Sequence, residues 1–414
     1  MHNDILAHLD DPHYLEQLYR ADKPTFRKAF DSLYPQVASN LLAKAWYERL
    51  NYSQDGLMWG TARDRTFVLL ASLVAALLAK LPVILSLATD YYYPRNMGFI
   101  VFPLLIGYFA WKQTISRQTS IVLAVLMGLA AVYINWLPQA PTSDTLILAC
   151  LHLPLWLWSL LGFTFTGGRL QRDANWLGFL RYNGELVVMT ALLLLACGLA
   201  TGITIGLFNL IGWNIVDFYV NYVVIGGLAA LPIVATYLTQ VQPALVGMVS
   251  PVIARLFSPF ALVMLLIYLV AMTASGKNLY HDQEFLLLFN GLLIGVMALI
   301  FFSVAETSSA NQNRVQVLIL FLLSIVTILV NGIALSAILF RIAEWGITPN
   351  RAAVLGGNVL MLCHLLTVGF RLWQAITRRS DLSPISRSMA YFLPAYSGWS
   401  AVVVVVFPLL FGFR

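Results

Sequence analysis

The chain reads as an all-α, polytopic transmembrane helical bundle of about eleven spans, preceded by a small polar helical region. Three observations lead there. The 414 residues are 59% hydrophobic and only 11% charged, whereas soluble domains carry about 25% charged residues. Apolar stretches recur from Thr66 to the end, each near the roughly 20 residues that cross a hydrocarbon core of about 30 Å. No alternating pattern of a membrane barrel is visible, so the backbone must close its hydrogen bonds within helices.

Residues 1–57 come first. Asp11-Pro12 starts a helix toward Arg20, with Asp as cap and Pro in the first turn. After the Lys23-Pro24 break, Phe26, Phe30, Leu33 and Tyr34 recur at helical spacing, and Leu42, Trp46 and Leu50 form a third stripe. So small a unit buries little surface by itself, and docking on the membrane domain is expected ahead of a free regulatory head. Eight basic and nine acidic side chains in residues 1–65 leave no nucleic-acid-binding patch. The polar start, with Asp4, Asp10, Asp11 and Glu16, is unlike a secretory signal.

Residues 58–414 form the membrane domain. Its spans are expected at 66–88, 97–112, 120–137, 145–165, 185–209, 218–238, 256–274, 284–304, 315–340, 351–376 and 389–411. Lys and Arg concentrate on one side: the N-terminal region, then Lys112 and Arg117, Arg169 to Arg181, Arg255, Arg314, and Arg371 to Arg387. That side is expected to be cytoplasmic, with the N-terminus there and the C-terminus opposite. Trp59, Trp111, Trp136, Trp213, Trp345, Trp373 and the Tyr91-Tyr92-Tyr93-Pro94 run sit near span ends, as interface anchors do. Cys150, Cys197 and Cys363 fall inside spans and imply no disulfide framework.

Gly198, Gly202 and Gly206 form a GxxxGxxxG ridge, and Gly291 with Gly295 repeats the spacing. Small residues four apart let a second helix approach closely, and packing within the chain is expected ahead of dimerisation. No internal repeat is evident.

Few polar groups lie inside the spans. Lys80, beside the kinking Leu81-Pro82 pair, has two readings: it lines a polar cavity, or it snorkels outward from a short helix. His152 and His364, with Asn290, Asn331 and Asn358, are candidates to line a polar path, or each makes a local helix–helix hydrogen bond. Glu185 and Glu284 are expected at helix starts, where the dipole favours a carboxylate. No metal and no cofactor is expected, since HxxxH, CxxC, Walker and GxSxG patterns are missing.

The segment from Arg341 to Arg351 is the most motif-like loop. Thr348 caps and Pro349 opens the following helix, and Gly346 permits the reversal. Arg341, Glu344 and Arg351 are expected to form an ion-paired external clasp rather than an anion-binding rim. The loop resembles the "R…E-[YW]-G-[IL]-T-P-N-R" segment of the domain-of-unknown-function 4153 family, with Trp345 at the Tyr position. The Met58-Trp59-Gly60 entry and Arg63 are similar to that family's start. The resemblance implies a multi-pass protein of the bacterial cytoplasmic (inner) membrane and supplies no catalytic residues.

Two functional readings follow. A transporter or permease of a small solute or lipid-like molecule is supported by the number of spans, the breaks at Pro82, Pro154, Pro232, Pro394 and Pro408, and the scattered polar groups. The alternative is a non-transporting scaffold or sensor that couples the N-terminal region to a protein partner. An enzyme lacks a catalytic constellation. The bilayer itself is the one partner that composition dictates.

Overall fold

The computed structural model describes residues 1–51, 60–138, 143–169, 176–210, 213–243, 249–274, 283–307, 314–378 and 383–413. Met58 and Trp59 of the expected entry motif lie outside them. The described residues contain helices and no strand. They form two compact units, Met1–Trp59 and Gly60–Arg414.

The first unit holds α1 (His2–Ala7), α2 (Pro12–Ala21), α3 (Lys23–Val37) and α4 (Leu41–Asn51). Short polar side chains start its helices. Asp11 accepts from the His13 and Tyr14 amides, Asp22 from that of Thr25, and Asn40 from those of Leu42 and Ala43. Ile5, Leu15, Phe26, Phe30, Leu33 and Trp46 fill a common core. Aromatic side chains bury large areas each, so the unit closes a core of its own, which its length alone does not suggest. Arg49 stacks 4.5 Å over the Trp46 ring and pairs with Glu16 at 2.8 Å. Glu16 also takes the Arg20 guanidinium at 2.8 Å.

The second unit carries eleven long helical segments: α5 (Ala62–Ile84), α6 (Thr89–Lys112), α7 (Arg117–Trp136), α8 (Asp144–Phe165), α9 (Trp176–Leu210), α10 (Val216–Val241), α11 (Val249–Ala274), α12 (Gln283–Thr307), α13 (Arg314–Trp345), α14 (Pro349–Arg378) and α15, which runs through Ser383–Ala401, a π-helical stretch Val402–Val406, and Phe407–Leu410. Ten described helices are long and apolar enough to cross a membrane; α6 is the segment outside that set. Large apolar side chains such as Leu69, Val132, Leu199 and Val270 face outward, as the hydrocarbon-facing surface of an integral membrane protein requires. The chain is therefore a multi-pass membrane protein.

Two boundaries differ from the sequence expectation. Helix α6 begins at Thr89, because the Tyr91–Asn96 run is itself helical. Helix α9 begins at Trp176, so Glu185 stands well inside the helix and is no N-terminal carboxylate.

Apolar packing divides the membrane unit. Side chains of α5, α6, α8, α9 and α10 share one cluster, centred on Phe109, Phe179 and Tyr182. Side chains of α11 to α14 share another, with Phe289, Ile300, Leu323, Val330 and Val368 wholly buried. At one end of the first cluster, Thr61 and Asp64 form a reciprocal capping box, and Asp64 pairs with Lys112 at 2.6 Å.

Candidate functional site

The second cluster interrupts its apolar packing with a polar layer. Asn331 on α13, His364 on α14 and Tyr396 on α15 each lie within two residues of the middle of their helices. The α13–α14 hairpin fixes the register. Gly346 turns the chain at φ +76°, and the Arg351 guanidinium donates to the Trp345 and Gly346 carbonyls at 3.1 and 2.7 Å. Further in, Gly369 faces Ser324 and Ile328. Continuing that antiparallel register sets Asn331 level with His364.

His364 is 2% exposed and lies against Phe392, ring centroids 4.3 Å apart, and Phe301, 4.4 Å away. Its Nδ1 is 3.2 Å from the Tyr396 hydroxyl, which in turn donates to the Met297 sulfur at 3.7 Å. A phenol has one proton. Nδ1 and the sulfur are both within reach of that proton, and Nε2 is the ring nitrogen that neither contact engages. Nε2 is buried and has no partner among the described residues. Asn331 is 0% exposed, and both its amide nitrogen and its oxygen are likewise unpartnered. So is Trp399 Nε1, on the ring that packs against Gly356. One turn and a half before His364, Asn358 donates to Asn290 at 2.9 Å, joining α14 to α12. Of the six residues expected to line a polar path, the structure thus gathers His364, Asn290, Asn331 and Asn358 on α12 to α14.

The other two lie elsewhere. Lys80 is half-buried on α5, with its ammonium 4.7 Å from the Tyr222 ring centroid on α10. A cation held on an aromatic face needs no carboxylate, and this favours the peripheral reading of Lys80. His152 turns its Nδ1 onto the Leu148 carbonyl of its own helix at 2.9 Å.

The 341–351 loop holds together differently from the expected ion-paired clasp. Arg341 and Arg351 stand over the same Trp345 ring, at 5.4 and 5.6 Å. Glu344 is exposed and joins no ion pair among the described residues. Carbonyls at a helix C-terminus carry partial negative charge, so Arg351 finds its counter-charge there. Thr348 does cap α14, accepting from the Arg351 amide at 3.3 Å.

The glycine ridges are also corrected. A Cβ added at Gly198, Gly202, Gly206, Gly291 or Gly295 meets nothing within 4 Å. These stripes face outward and pack against no helix among the described residues. The close approaches occur at Gly184, where a Cβ overlaps the Phe302 ring, and at Gly356, where it overlaps Trp399. Neither glycine belongs to a GxxxG pair, and only the identity of its partner marks it out.

Arg95 and the tyrosines before it are the functional side chains that spacing missed. Arg95 is 3% exposed and donates to the carbonyls of Ile134, Leu137 and Pro138 at 2.7, 2.9 and 3.2 Å. It thereby caps the C-terminus of α7. Tyr92 and Tyr93 donate to Leu78 and Ala79 carbonyls, both at 2.9 Å. Proline at position 82 cannot supply the N–H that Leu78 O would take in a regular helix. The signal was present as a kinked helix followed by three hydroxyls. At the end of α12, Glu306 pairs with Arg181 at 3.6 Å, while Arg181 donates to Ala305 O at 3.2 Å.

Between α7, α8 and α15 lies an apolar groove of about 460 Å³, lined by Leu129, Tyr133, Trp136, Leu153 and Val404 among others. It opens on the hydrocarbon-facing surface and carries no polar chemistry, since the Tyr133 hydroxyl is spent on Val405 O at 3.0 Å. Among the described residues no three His, Cys, Asp or Glu side chains gather at metal-binding distance. Compared with known proteins, the chain matches no family model, no curated protein and no solved structure.

Proposed function

We propose that this membrane protein is a permease-like translocator of a small solute, with its binding site in the polar layer of α12 to α15. The observation that carries the reading is the pair of buried side chains with unpartnered groups there: His364, at Nε2, and Asn331, at both ends of its amide. In hydrocarbon a polar group without a partner costs several kcal/mol, so two such side chains at one level imply something that visits them. Sites of secondary transporters lie at this depth. The Lys and Arg bias supports a cytoplasmic N-terminal unit, and the likeness of the 341–351 loop to domain-of-unknown-function 4153 proteins supports a bacterial inner membrane.

A scaffold or sensor is the second reading, supported by the first unit's own aromatic core and by the local partners of Lys80 and His152. Cysteine accessibility separates the two. In a background with Cys150, Cys197 and Cys363 replaced by Ala, Asn331→Cys and His364→Cys are exposed to a small membrane-impermeant thiol reagent. Labelling from an aqueous side supports translocation. Protection from both sides, with the protein folded, supports the scaffold.

A further inference from the structure

We propose that the layer takes an uncharged, planar or compact hydrogen-bonding molecule and rejects ions of either sign; this rests on the translocation reading above. The argument begins with charge. No Asp, Glu, Lys or Arg occurs in residues 285–305, 315–340, 352–370 or 388–413, the central lengths of α12, α13, α14 and α15. An ion entering a bundle without a counter-charge keeps its full desolvation cost. Transport sites for ions supply that charge from nearby side chains or from broken-helix termini. Here the helices carrying Asn331 and His364 run unbroken past both residues, and the charges flanking α12, Arg181, Glu185 and Glu306, interact with one another, Arg181 pairing with Glu306 at 3.6 Å.

The open groups then specify the shape of the chemistry. His364 offers an open ring nitrogen, and Asn331 one donor and one acceptor. Phe301 and Phe392 flank the imidazole and make its surroundings apolar. A neutral molecule with both N–H or O–H donors and a carbonyl-type acceptor satisfies all of these without bringing charge. A site built to hydrogen-bond such groups also discriminates against analogues that lack them, because its own polar atoms would be left bare.

Urea, guanidinium and nitrate are three small planar probes of similar outline that differ in charge. Their isotopically labelled forms are followed into vesicles containing the full-length protein, with the membrane potential clamped at zero. Urea is expected to enter several-fold faster than into protein-free vesicles. His364→Phe and Asn331→Leu bring that rate down to the protein-free level. His364→Gln, which keeps a hydrogen-bonding group there, retains part of it and separates lost chemistry from lost folding. Guanidinium and nitrate enter at the protein-free rate throughout. Uptake of either ion that needs the protein and is lost in His364→Phe overturns the uncharged class while sustaining translocation at this layer. If no probe responds to the protein or to these variants, both readings fall.

Discussion

The Tyr92 hydroxyl donates to the Leu78 carbonyl at 2.9 Å, the acceptor that Pro82 deprives of its helical N–H. The two residues are therefore coupled across α5 and α6 although neither touches a ligand. Tyr92→Phe alone is expected to lower stability by about 1–3 kcal/mol, the cost of a buried carbonyl left bare. In a Pro82→Ala background the helix recovers its own donor, and the same Phe substitution costs much less. Thermal unfolding of the four proteins in detergent measures the coupling as a double-mutant cycle.

Arg95 holds the end of α7 through three carbonyls. Hydrogen bonds from a charged donor contribute about 1.5–3 kcal/mol each when buried. Arg95→Ala is expected to melt the C-terminal turn of α7 and to lower the midpoint of unfolding well beyond the effect of Tyr92→Phe. Arg95→Lys recovers only part, because an ammonium does not present the fork that spans adjacent carbonyls. Hydrogen exchange at residues 131–137 reads the local effect directly.

Much of the fold was legible because lipid imposes one rule, repeated at every span. Length and apolarity located all eleven helical segments of the membrane unit, including α6, whose start was drawn too late only because tyrosine prefers the headgroup level as readily as a carbonyl partner. Partner choice was not legible. Arg95 reads as a loop charge until α7 is seen to end against it. Gly202 reads as a packing residue until its face proves open, while Gly184 and Gly356, which do pack, carry no spacing signal. For the candidate site, the sequence offered six polar residues and no contacts among them. The α13–α14 register selected Asn331 and His364, and a phenol three turns into α15 completed the layer.

Glycine substitutions test that correction. Gly202→Ala places a methyl group in open space and is expected to be neutral, or stabilising by up to about 1 kcal/mol from helix propensity. Gly356→Ala and Gly184→Ala drive a methyl group into Trp399 and Phe302 respectively. Overpacking of this kind costs about 1–3 kcal/mol. Unfolding midpoints of the three variants should order accordingly.

The first unit carries a pH dependence outside the membrane. Hydrogen bonds from Arg20, then from Arg49, hold the Glu16 carboxyl below its ordinary value of 4.5. A carboxyl depressed in the folded state contributes stability that is complete above its unfolded value and is lost as pH falls through the folded one. Acidification from neutral to below about 4.5 should therefore speed proteolysis within residues 1–51 of the full-length protein. Glu16→Gln should be more readily cut at neutral pH and should flatten that part of the acid response.

An open imidazole nitrogen at the middle of the membrane is what the functional reading depends on most. It is measured by nitrogen-15 NMR of histidine-labelled protein in lipid bilayers, with His364 identified by the signal missing from His364→Gln. The expected result is an Nε2 that receives magnetisation from mobile water protons. An Nε2 reached by no water signal would contradict an accessible polar layer at His364.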